Sequence, residues 1–288
     1  MYDVSRATGR ARLAAWCVRT AVIVSLGATA AAAAASIVAA AVVAAAPADP
    51  PAATTTLIPP DSFTSQDAFD AVWAYNYPWG TDHNGAARMD PAQAVLSPAN
   101  NTLTLIARRL PASSHPKPAH HGGQDIPIHY LAGAVHARAH LAVARRTTLE
   151  LAGRFRAPVA RGTWPAFWLT AVDGWPPEVD LAEWKGSGKI SFNTFNTSSQ
   201  VAARDVAYPR PDAFHDVRCV LRDENGADVA VAFYLDGAHV TTQVGRGFTG
   251  KALYLIINLQ MEGSSGSPGP ETDTQYAASN VSVVSYKS

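Results

Sequence analysis

The sequence predicts an all-β fold, an antiparallel β-jelly-roll sandwich. Short runs rich in β-branched, leucine and aromatic residues recur after residue 60, and polar turn signals separate them. Long helical periodicity is missing there, apart from one short helical turn expected near residues 67–73. Many short strands without alternating helices are typical of two packed antiparallel sheets.

The strands and the turns between them can be placed on the sequence. The pairs Asn100-Asn101, Asn225-Gly226 and Asp236-Gly237 are typical of tight hairpin turns, because Asn, Asp and Gly tolerate a positive φ. The stretch 115–123, rich in His, Pro and Gly, is expected to be a solvated loop. The clearest β-type runs cover residues 102–106, 148–151, 229–235, 252–258 and 281–284.

The first 48 residues differ in composition from the rest. Four arginines between residues 6 and 19 precede an uncharged, Ala- and Val-rich run at 20–48, as in a secretory signal peptide. The run is also long enough to span a bilayer of roughly 30 Å at about 1.5 Å per residue, so an uncleaved signal anchor is the alternative. Residues 49–60 predict a Pro/Thr/Ala linker, and residues 61–288 predict the folded domain. This domain is expected to be extracellular or at the cell surface, with a membrane as partner only if the segment stays uncleaved.

Charge and cysteine content narrow the class of protein. The 23 basic and 23 acidic side chains balance, so no cationic excess is available to neutralise nucleic-acid phosphates. Cys219 is the only thiol after residue 60, which rules out an internal disulfide or a cysteine metal site in the folded domain. Its strand-like surroundings predict a buried, inert thiol. We expect a monomer.

A candidate for chemistry is the acidic strand at 178–183, which carries Glu178, Asp180 and Glu183. Alternate side chains of a strand share a face, so Glu178 and Asp180 point together while strict alternation would turn Glu183 inward. A β-bulge between Asp180 and Glu183 would return Glu183 to the face of the other two. The alternative is a polar outer face of an edge strand, with the nearby tryptophans in the core.

Clustered carboxyl groups suit one type of reaction. Retaining glycosidases place two carboxyl groups roughly 5–5.5 Å apart, one as nucleophile and one as acid and then base. Neighbouring negative charges raise the pKa of at least one member of such a group, which supplies a proton donor near neutral pH. Asp180, between the two glutamates, can hold the nucleophile by a hydrogen bond. Aromatic rings nearby offer flat apolar faces to sugar rings.

A longer block surrounds the acidic strand. It reads WPAFWL at 164–169, WPP at 175–177 and EVDLAE at 178–183, followed by FYLDG at 233–237 and INL at 257–259. This block resembles glycoside hydrolase family 16, the family of laminarinases, lichenases, agarases and carrageenases. The resemblance covers about residues 61–288 and implies a jelly roll with a concave substrate cleft. It implies no cofactor, and the structural calcium of some members cannot be located from the sequence.

The same resemblance assigns roles to the acids. It implies that Glu178 is the nucleophile, Asp180 the assisting acid and Glu183 the general acid/base. The two residues between Asp180 and Glu183 are similar to laminarinases, whereas lichenases and plant xyloglucan transglycosylases typically have one. A β-1,3-linked glucan is therefore the first expected substrate, and agar-like or galactan substrates stay open.

Other residues are candidates for substrate binding. Trp168 and Trp184 are expected to reach the cleft as sugar platforms, whereas Trp164 and Trp175 are assigned to loop or core packing. Many family members place a His on the strand after the acids, and Asn193 or Asn196 is the nearest counterpart here. Gln260 and Glu262, in a loop that departs from the family pattern, are expected to bond sugar hydroxyls. The segment 76–79 is expected to border the cleft.

The leading functional hypothesis is a retaining endo-glycosidase that hydrolyses β-1,3- or mixed β-1,3/1,4-glucan through a glycosyl-enzyme intermediate, with a polysaccharide as its partner. A transglycosylase that remodels wall glycan would use the same acids with a sugar as acceptor. A non-catalytic, lectin-like glycan-binding module is the competing class, because jelly rolls also serve that role. Such a module would not need a paired nucleophile and proton donor.

Overall fold

The computed structural model describes residues 54–287, which lie in the compact unit Ala48–Ser288. The predicted signal segment, residues 1–48, lies outside the described residues. None of the helices between residues 54 and 287 is both long enough and apolar enough to cross a membrane.

The described residues form a sandwich of β-strands with one short α-helix, as the sequence predicts. The helix is α1 (Gln66–Val72), and single 3-10 turns cover Pro91–Gln93, Pro98–Asn100, Ala112–Ser114 and Gly263–Ser265. The strands are β1 (Thr54–Ile58), β2 (Trp73–Tyr75), β3 (Ala87–Met89), β4 (Ala94–Ser97), β5 (Thr102–Arg109), β6 (Ala119–His121), β7 (Gln124–Ile126), β8 (Tyr130–Ala132), β9 (Ala134–Ala137), β10 (Thr147–Arg156), β11 (Thr163–Ala171), β12 (Glu178–Glu183), β13 (Lys189–Thr197), β14 (Gln200–Ala207), β15 (His215–Asp223), β16 (Val229–Leu235), β17 (Ala238–Gly245), β18 (Leu253–Met261) and β19 (Thr274–Lys287).

Two large sheets make the sandwich. One has the order β17-β16-β15-β10-β19-β5-β8-β3, with β1 added beside β19 and β4 beside β5. The other has the order β14-β13-β12-β11-β18-β9-β2, so the acidic strand β12 lies near its middle. Strands β6 and β7 form a separate hairpin. Among the described strands the pairing is antiparallel, except for the parallel pair of β3 and β8.

The core lies between the two sheets and is rich in aromatic side chains. Phe155 of β10 packs on Phe167 of β11 and on Tyr276 of β19, with ring centroids 4.8 and 5.9 Å apart. The sheets are therefore joined by rings that are completely buried. Cys219 is also fully buried and unpaired, which confirms the expectation of a buried thiol.

Local sequence signals account for the turns and the helix. Asp236 and Gly237 have φ values of 49° and 78° and connect β16 to β17, as a tight hairpin turn requires. Ser65 caps α1, since its Oγ accepts a hydrogen bond of 3.0 Å from the backbone N–H of Ala68. Phe69, on the inner face of this helix, is fully buried.

The predicted linker at 49–60 is wrong in its second half. Thr54–Ile58 is strand β1, which pairs antiparallel with the last strand, β19. Ile58 is 1% exposed and belongs to the core. The Thr-rich composition that suggests a linker also suits a strand, because β-branched residues favour extended backbone.

Candidate active site

A β-bulge in β12 sets the direction of the acidic side chains. On the neighbouring strand β11, Trp168 lies opposite Asp180 and Phe167 lies opposite Ala182, so Leu181 is an extra residue in β12. The pairing with β13 shifts in the same place, between Asp180 and Glu183. The bulge expected from the sequence is confirmed. Leu181 is fully buried, whereas Glu183 returns to the face that carries Asp180.

All three acids line one cleft on the outer face of the seven-stranded sheet. The cleft has a volume of about 550 Å³ and is lined by β11, β12 and β13 and by the loops before β3 and after β18. A smaller cavity of about 60 Å³ at its floor is lined by Asn84, Asn258 and Gln260 together with the acids. Asp180 and Glu183 are 5% and 6% exposed, so both are largely shielded from water.

Hydrogen bonds from neighbouring side chains orient each carboxyl group. The indole N–H of Trp175 donates to Glu178 Oε2 over 2.8 Å. The amide of Asn193 donates to Asp180 Oδ2 over 2.8 Å and to Glu183 Oε2 over 3.0 Å. The indole N–H of Trp164 donates to Glu183 Oε1 over 2.6 Å. The acids are therefore held in fixed directions before any ligand arrives.

Burial and mutual repulsion change the acidity of the cluster. Burial raises the pKa of Glu178 to about 7, the bond from Trp175 opposes this rise, and the negative charge of Glu183 adds to it. Burial together with the charges of Glu183 and Glu178 raises the pKa of Asp180 well above its ordinary value. The cluster therefore retains protons at neutral pH.

The cation of Lys185 faces the acids. Lys185 lines the cleft, and its Nζ lies 2.7 Å from Glu183 Oε2. Burial lowers the pKa of this lysine, but the charge and hydrogen bond of Glu183, together with the charges of Asp180 and Asp205, raise it by more, so the pKa is raised overall. The ammonium group therefore stays charged and partly offsets the negative charge of the cleft.

An aromatic wall closes one side of the cleft. His83 stacks on Trp168 with ring centroids 5.7 Å apart, and Trp79 meets the edge of Trp168 at 6.2 Å. His121, from the β6–β7 hairpin, lies 5.0 Å from His83. Burial, reinforced by His121, lowers the pKa of His83 to about 3. The wall thus presents rings and a neutral imidazole, which is a suitable surface for the apolar faces of sugars.

The structure assigns the four tryptophans of this segment to the cleft or to the core, and three of these assignments differ from the prediction. Trp168 lines the cleft as expected, but Trp184 is fully buried and packs against Tyr208 and Tyr276 of the core. The bulge is complete at Glu183, so the next side chain turns inward. Trp164 and Trp175, which the sequence assigned to packing, both line the cleft.

The two asparagine candidates have different positions. Asn193 is buried behind the acids and orients them. Asn196 lies outside the cleft lining, where its side chain bonds the backbone of Val244 and Arg246 and so ties β13 to β17. The prediction that Asn196 binds substrate is therefore wrong.

The two candidates at the end of β18, Gln260 within the strand and Glu262 just after it, also bond other parts of the protein. Gln260 lines the cavity floor, but its side chain bonds the backbone N–H and carbonyl of Ala87 at 2.8 and 3.2 Å. Glu262 lies outside the cleft lining, and His129 and other donors surround its carboxylate. The Glu262 carboxylate is therefore not free for sugar hydroxyls. The amide oxygen of Gln260 already accepts from the N–H groups of Ala87 and Met261, and a role of this residue in binding sugar stays a prediction.

Several cleft residues carry no pattern that sequence reasoning could use. His83 and Asn84 come from the loop before β3, and His121 comes from the hairpin. Lys185 stands two positions after Glu183, and this short spacing is the one available signal. Between residues 54 and 287 no group of three or more His, Cys, Asp and Glu side chains is arranged to hold a metal ion.

Known proteins with similar sequences or folds were compared with this chain. A galactan endo-β-1,3-galactanase from Flammulina velutipes is 52% identical over 227 residues, which cover 78% of this chain and 88% of that protein. The structure of an endo-1,3-β-glucanase from Streptomyces sioyaensis matches with a TM-score of 0.61 at 20% identity, covering 85% of this chain and 100% of that one. A non-specific endo-β-1,3(4)-glucanase from family GH16 matches with a TM-score of 0.56 at 20% identity, covering 75% of this chain and 84% of that one. No family model matches the chain.

A jelly-roll sandwich with buried, oriented carboxyl groups in an aromatic cleft defines a β-sandwich glycoside hydrolase. With 52% identity to a curated relative over most of both sequences, and with the fold of known members, the chain belongs to glycoside hydrolase family 16. The family, the fold class and the enzymatic nature expected from the sequence are confirmed.

Proposed function

We propose that this chain is a retaining endo-glycanase that hydrolyses β-1,3-linked galactan. The observation that carries this proposal is the bulge of β12, which brings Glu178, Asp180 and Glu183 into one cleft. A retaining mechanism needs a nucleophile and a proton donor on the same face, and a regular strand would not provide both.

In the first step Glu178 attacks the anomeric carbon of the bound sugar. The form of the cluster that reacts has Glu178 ionised and a proton on Glu183. The bond from the anomeric carbon to the glycosidic oxygen breaks, and Glu183 gives this proton to that oxygen as the leaving chain departs. The product of this step is a sugar ester of Glu178. Trp175 stabilises the reacting carboxylate before attack, because it donates a hydrogen bond to Glu178 Oε2.

In the second step water replaces the leaving chain. Glu183, now a carboxylate, takes a proton from the water, whose oxygen attacks the anomeric carbon and releases Glu178. The donors around Glu183 suit this charged form, since Trp164, Asn193 and Lys185 all face its oxygens. The two inversions together retain the configuration of the sugar.

Asp180 holds a proton between the two glutamates in both steps. It is 5% exposed, and burial with its neighbours' charges raises its pKa well above the ordinary value. A protonated Asp180 limits the charge of the cluster to a level that Lys185 can balance. It also supplies a hydrogen-bond donor beside the nucleophile.

The relative from Flammulina velutipes supports the choice of polymer. That protein is named a galactan endo-β-1,3-galactanase and is 52% identical over 227 residues. The β-1,3 linkage agrees with the substrate class expected from the spacing of the acids. A galactan therefore takes the place of the glucan as the first substrate to test.

The experiment is a reducing-end release assay on β-1,3-galactan, laminarin, lichenan and xyloglucan, with proton NMR of the first products. We expect cleavage of β-1,3-galactan, internal cuts that yield oligosaccharides, and products that first appear as the β-anomer. If laminarin is cleaved fastest, the substrate is a β-1,3-glucan and not a galactan. If the first products are the α-anomer, the mechanism is not a retaining one.

Two variants separate an enzyme from a binding module. Glu178→Gln is expected to lower kcat by at least about 10³-fold while the affinity for oligosaccharides changes little. Asp173→Asn, on the exposed loop before β12, is the matched control and should keep full activity. If the unaltered protein binds glycans but cleaves none of those tested, it is a lectin-like module. If it transfers the glycosyl group to added oligosaccharides and not to water, it is a transglycosylase.

A further inference from the structure

Glu262, which follows β18, has an unusual backbone for a residue with a side chain. Its φ is 57° and its ψ is −138°, a region that glycine occupies readily and other residues rarely adopt. Such a conformation persists only where its surroundings hold it in place. The side chain shows how this residue is held.

The carboxylate of Glu262 is 5% exposed and accepts four hydrogen bonds. The donors are His129 Nδ1, Ser267 Oγ and the N–H of Gly269, each at 3.0 Å, and Arg109 Nη1 at 3.4 Å. Burial raises the pKa of Glu262, but the hydrogen bonds from Gly269, Ser267 and His129 lower it by more, so the group is ionised at neutral pH. A neutral amide of the same shape would offer one acceptor oxygen and lose the charge.

The backbone of Glu262 anchors the turn Gly263–Ser265. Its carbonyl accepts hydrogen bonds from the N–H and the Oγ of Ser265 at 3.1 and 2.8 Å. Its N–H donates to the carbonyl of Gly162 over 2.8 Å, and the N–H of Gly162 donates to the carbonyl of Ser265 over 2.9 Å. The turn is therefore fixed against the start of β11, two residues before Trp164.

The turn lies directly on the indole of Trp164. A methyl group added to Gly263 would lie 2.7 Å from Cζ3 of that ring, so backbone and ring are in close contact. The same indole donates the 2.6 Å hydrogen bond to Glu183 Oε1. The path from Glu262 to Glu183 thus consists of one rigid turn and one ring.

We propose that Glu262 is a positioning residue for the reaction. It acts through Trp164 on the direction of the Glu183 carboxyl group, and it does not contact the sugar itself. This role rests on the proposed function, since it needs Glu183 as acid and base. A displacement of a reacting group by about 1 Å is enough to lower a rate by about 10²-fold.

The experiment compares Glu262→Gln, Trp164→Phe and the double variant in kcat and KM on the cleaved glycan. We expect Glu262→Gln to lower kcat by about ten- to hundredfold and to change KM by less than about twofold. In the double variant the loss should be no larger than in Trp164→Phe alone, because both changes act on one contact. If the loss of kcat in the double variant equals the product of the two single losses, the two residues act independently and the proposal is overturned.

A second readout does not depend on activity. In ¹⁵N-tryptophan-labelled protein, the Nε1–H resonance that disappears in Trp164→Phe is assigned to Trp164, and we expect it to move in Glu262→Gln. An unmoved resonance would also overturn the proposal. If the unaltered protein cleaves no glycan, the proposed function fails, while this resonance still decides whether Glu262 positions Trp164.

The matched control is Asp236→Asn. Asp236 also has a positive φ, of 49°, and its carboxylate accepts a 2.7 Å hydrogen bond from the buried His215, but it lies in the other sheet. This variant should leave the Trp164 resonance in place. When it is combined with Trp164→Phe, the loss of kcat in the double variant should equal the product of the two single losses. If Glu262→Gln does not fold, Ser267→Ala, which removes one donor from the carboxylate, carries the same two tests with a smaller effect.

Discussion

The ammonium group of Lys185 lies 2.7 Å from Oε2 of Glu183, so the proposed acid/base carries a cation at its side. The same charge also reaches the proposed nucleophile, because Lys185 lowers the pKa of Glu178 against the stronger effect of burial. Lys185 is therefore coupled to both reacting groups of the cleft.

The pH dependence of the reaction follows from the nucleophile. Burial raises the pKa of Glu178 to about 7, and attack requires the carboxylate. We expect kcat/KM to fall as the pH drops through about 7, approaching a tenfold loss per pH unit well below it. Initial rates at low substrate concentration between pH 4.5 and 9 measure this fall, which is the acidic limb of the pH profile. A rate that stays constant down to pH 5 would contradict the raised pKa.

Removal of the cation should move this limb. Lys185→Met takes away a charge that lowers the pKa of Glu178, so the pKa rises and the acidic limb moves to higher pH by about 1 unit. The same pH series measures the shift. Lys189→Met, an exposed lysine of β13 outside the cleft lining, is the control and should leave the limb in place. A shift toward lower pH would show that Lys185 does not act through its charge.

Much of the fold follows from short-range signals. The hairpin at Asp236-Gly237 and the helix capped by Ser65 form where local chemistry predicts them. The sequence does not predict strand β1, because its partner is β19, at the far end of the sequence, and residues 54–58 alone do not show whether a partner exists. Long-range pairing of this kind is invisible to periodicity.

The site was predictable where one strand supplies it. The two-residue gap between Asp180 and Glu183 implied the bulge, and the bulge is present. The same reasoning failed for Trp184, because normal alternation resumes directly after the bulge and turns that ring into the core. His83 and His121 reach the cleft from separate loops, so only the folded chain brings them together.

The raised pKa of Glu178 also predicts an effect on stability. Its ordinary pKa of 4.5 becomes about 7 in the folded protein, so between these pH values the folded chain holds a proton that the unfolded chain has lost. Stability therefore falls as the pH rises through this window, and the loss is complete above it. Glu178→Gln removes the loss, and we expect its Tm to exceed that of the unaltered protein at pH 8 by at least about 2 °C.

Thermal unfolding at pH 8 and at pH 4.5 tests this effect. The gain in Tm should be clear at pH 8 and shrink toward pH 4.5, where the carboxyl group is protonated in most folded molecules. Asp173→Asn changes an exposed acid nearby and should give the same Tm as the unaltered protein at both pH values. An equal gain at both pH values would point to packing rather than to ionisation.

Two tryptophans separate stability from substrate binding. Trp184 is fully buried between Tyr208 and Tyr276, so Trp184→Ala should lower the free energy of unfolding by about 3–5 kcal/mol. Trp175 is 49% exposed at the cleft, so Trp175→Ala should change the same free energy by less than about 0.5 kcal/mol. Because the indole lines the cleft and bonds Glu178, its loss should raise KM and move the acidic limb of the pH profile to higher pH. Urea unfolding and steady-state kinetics measure both quantities. If Trp175→Ala unfolds the protein while Trp184→Ala only weakens substrate binding, the roles assigned to the two rings are reversed.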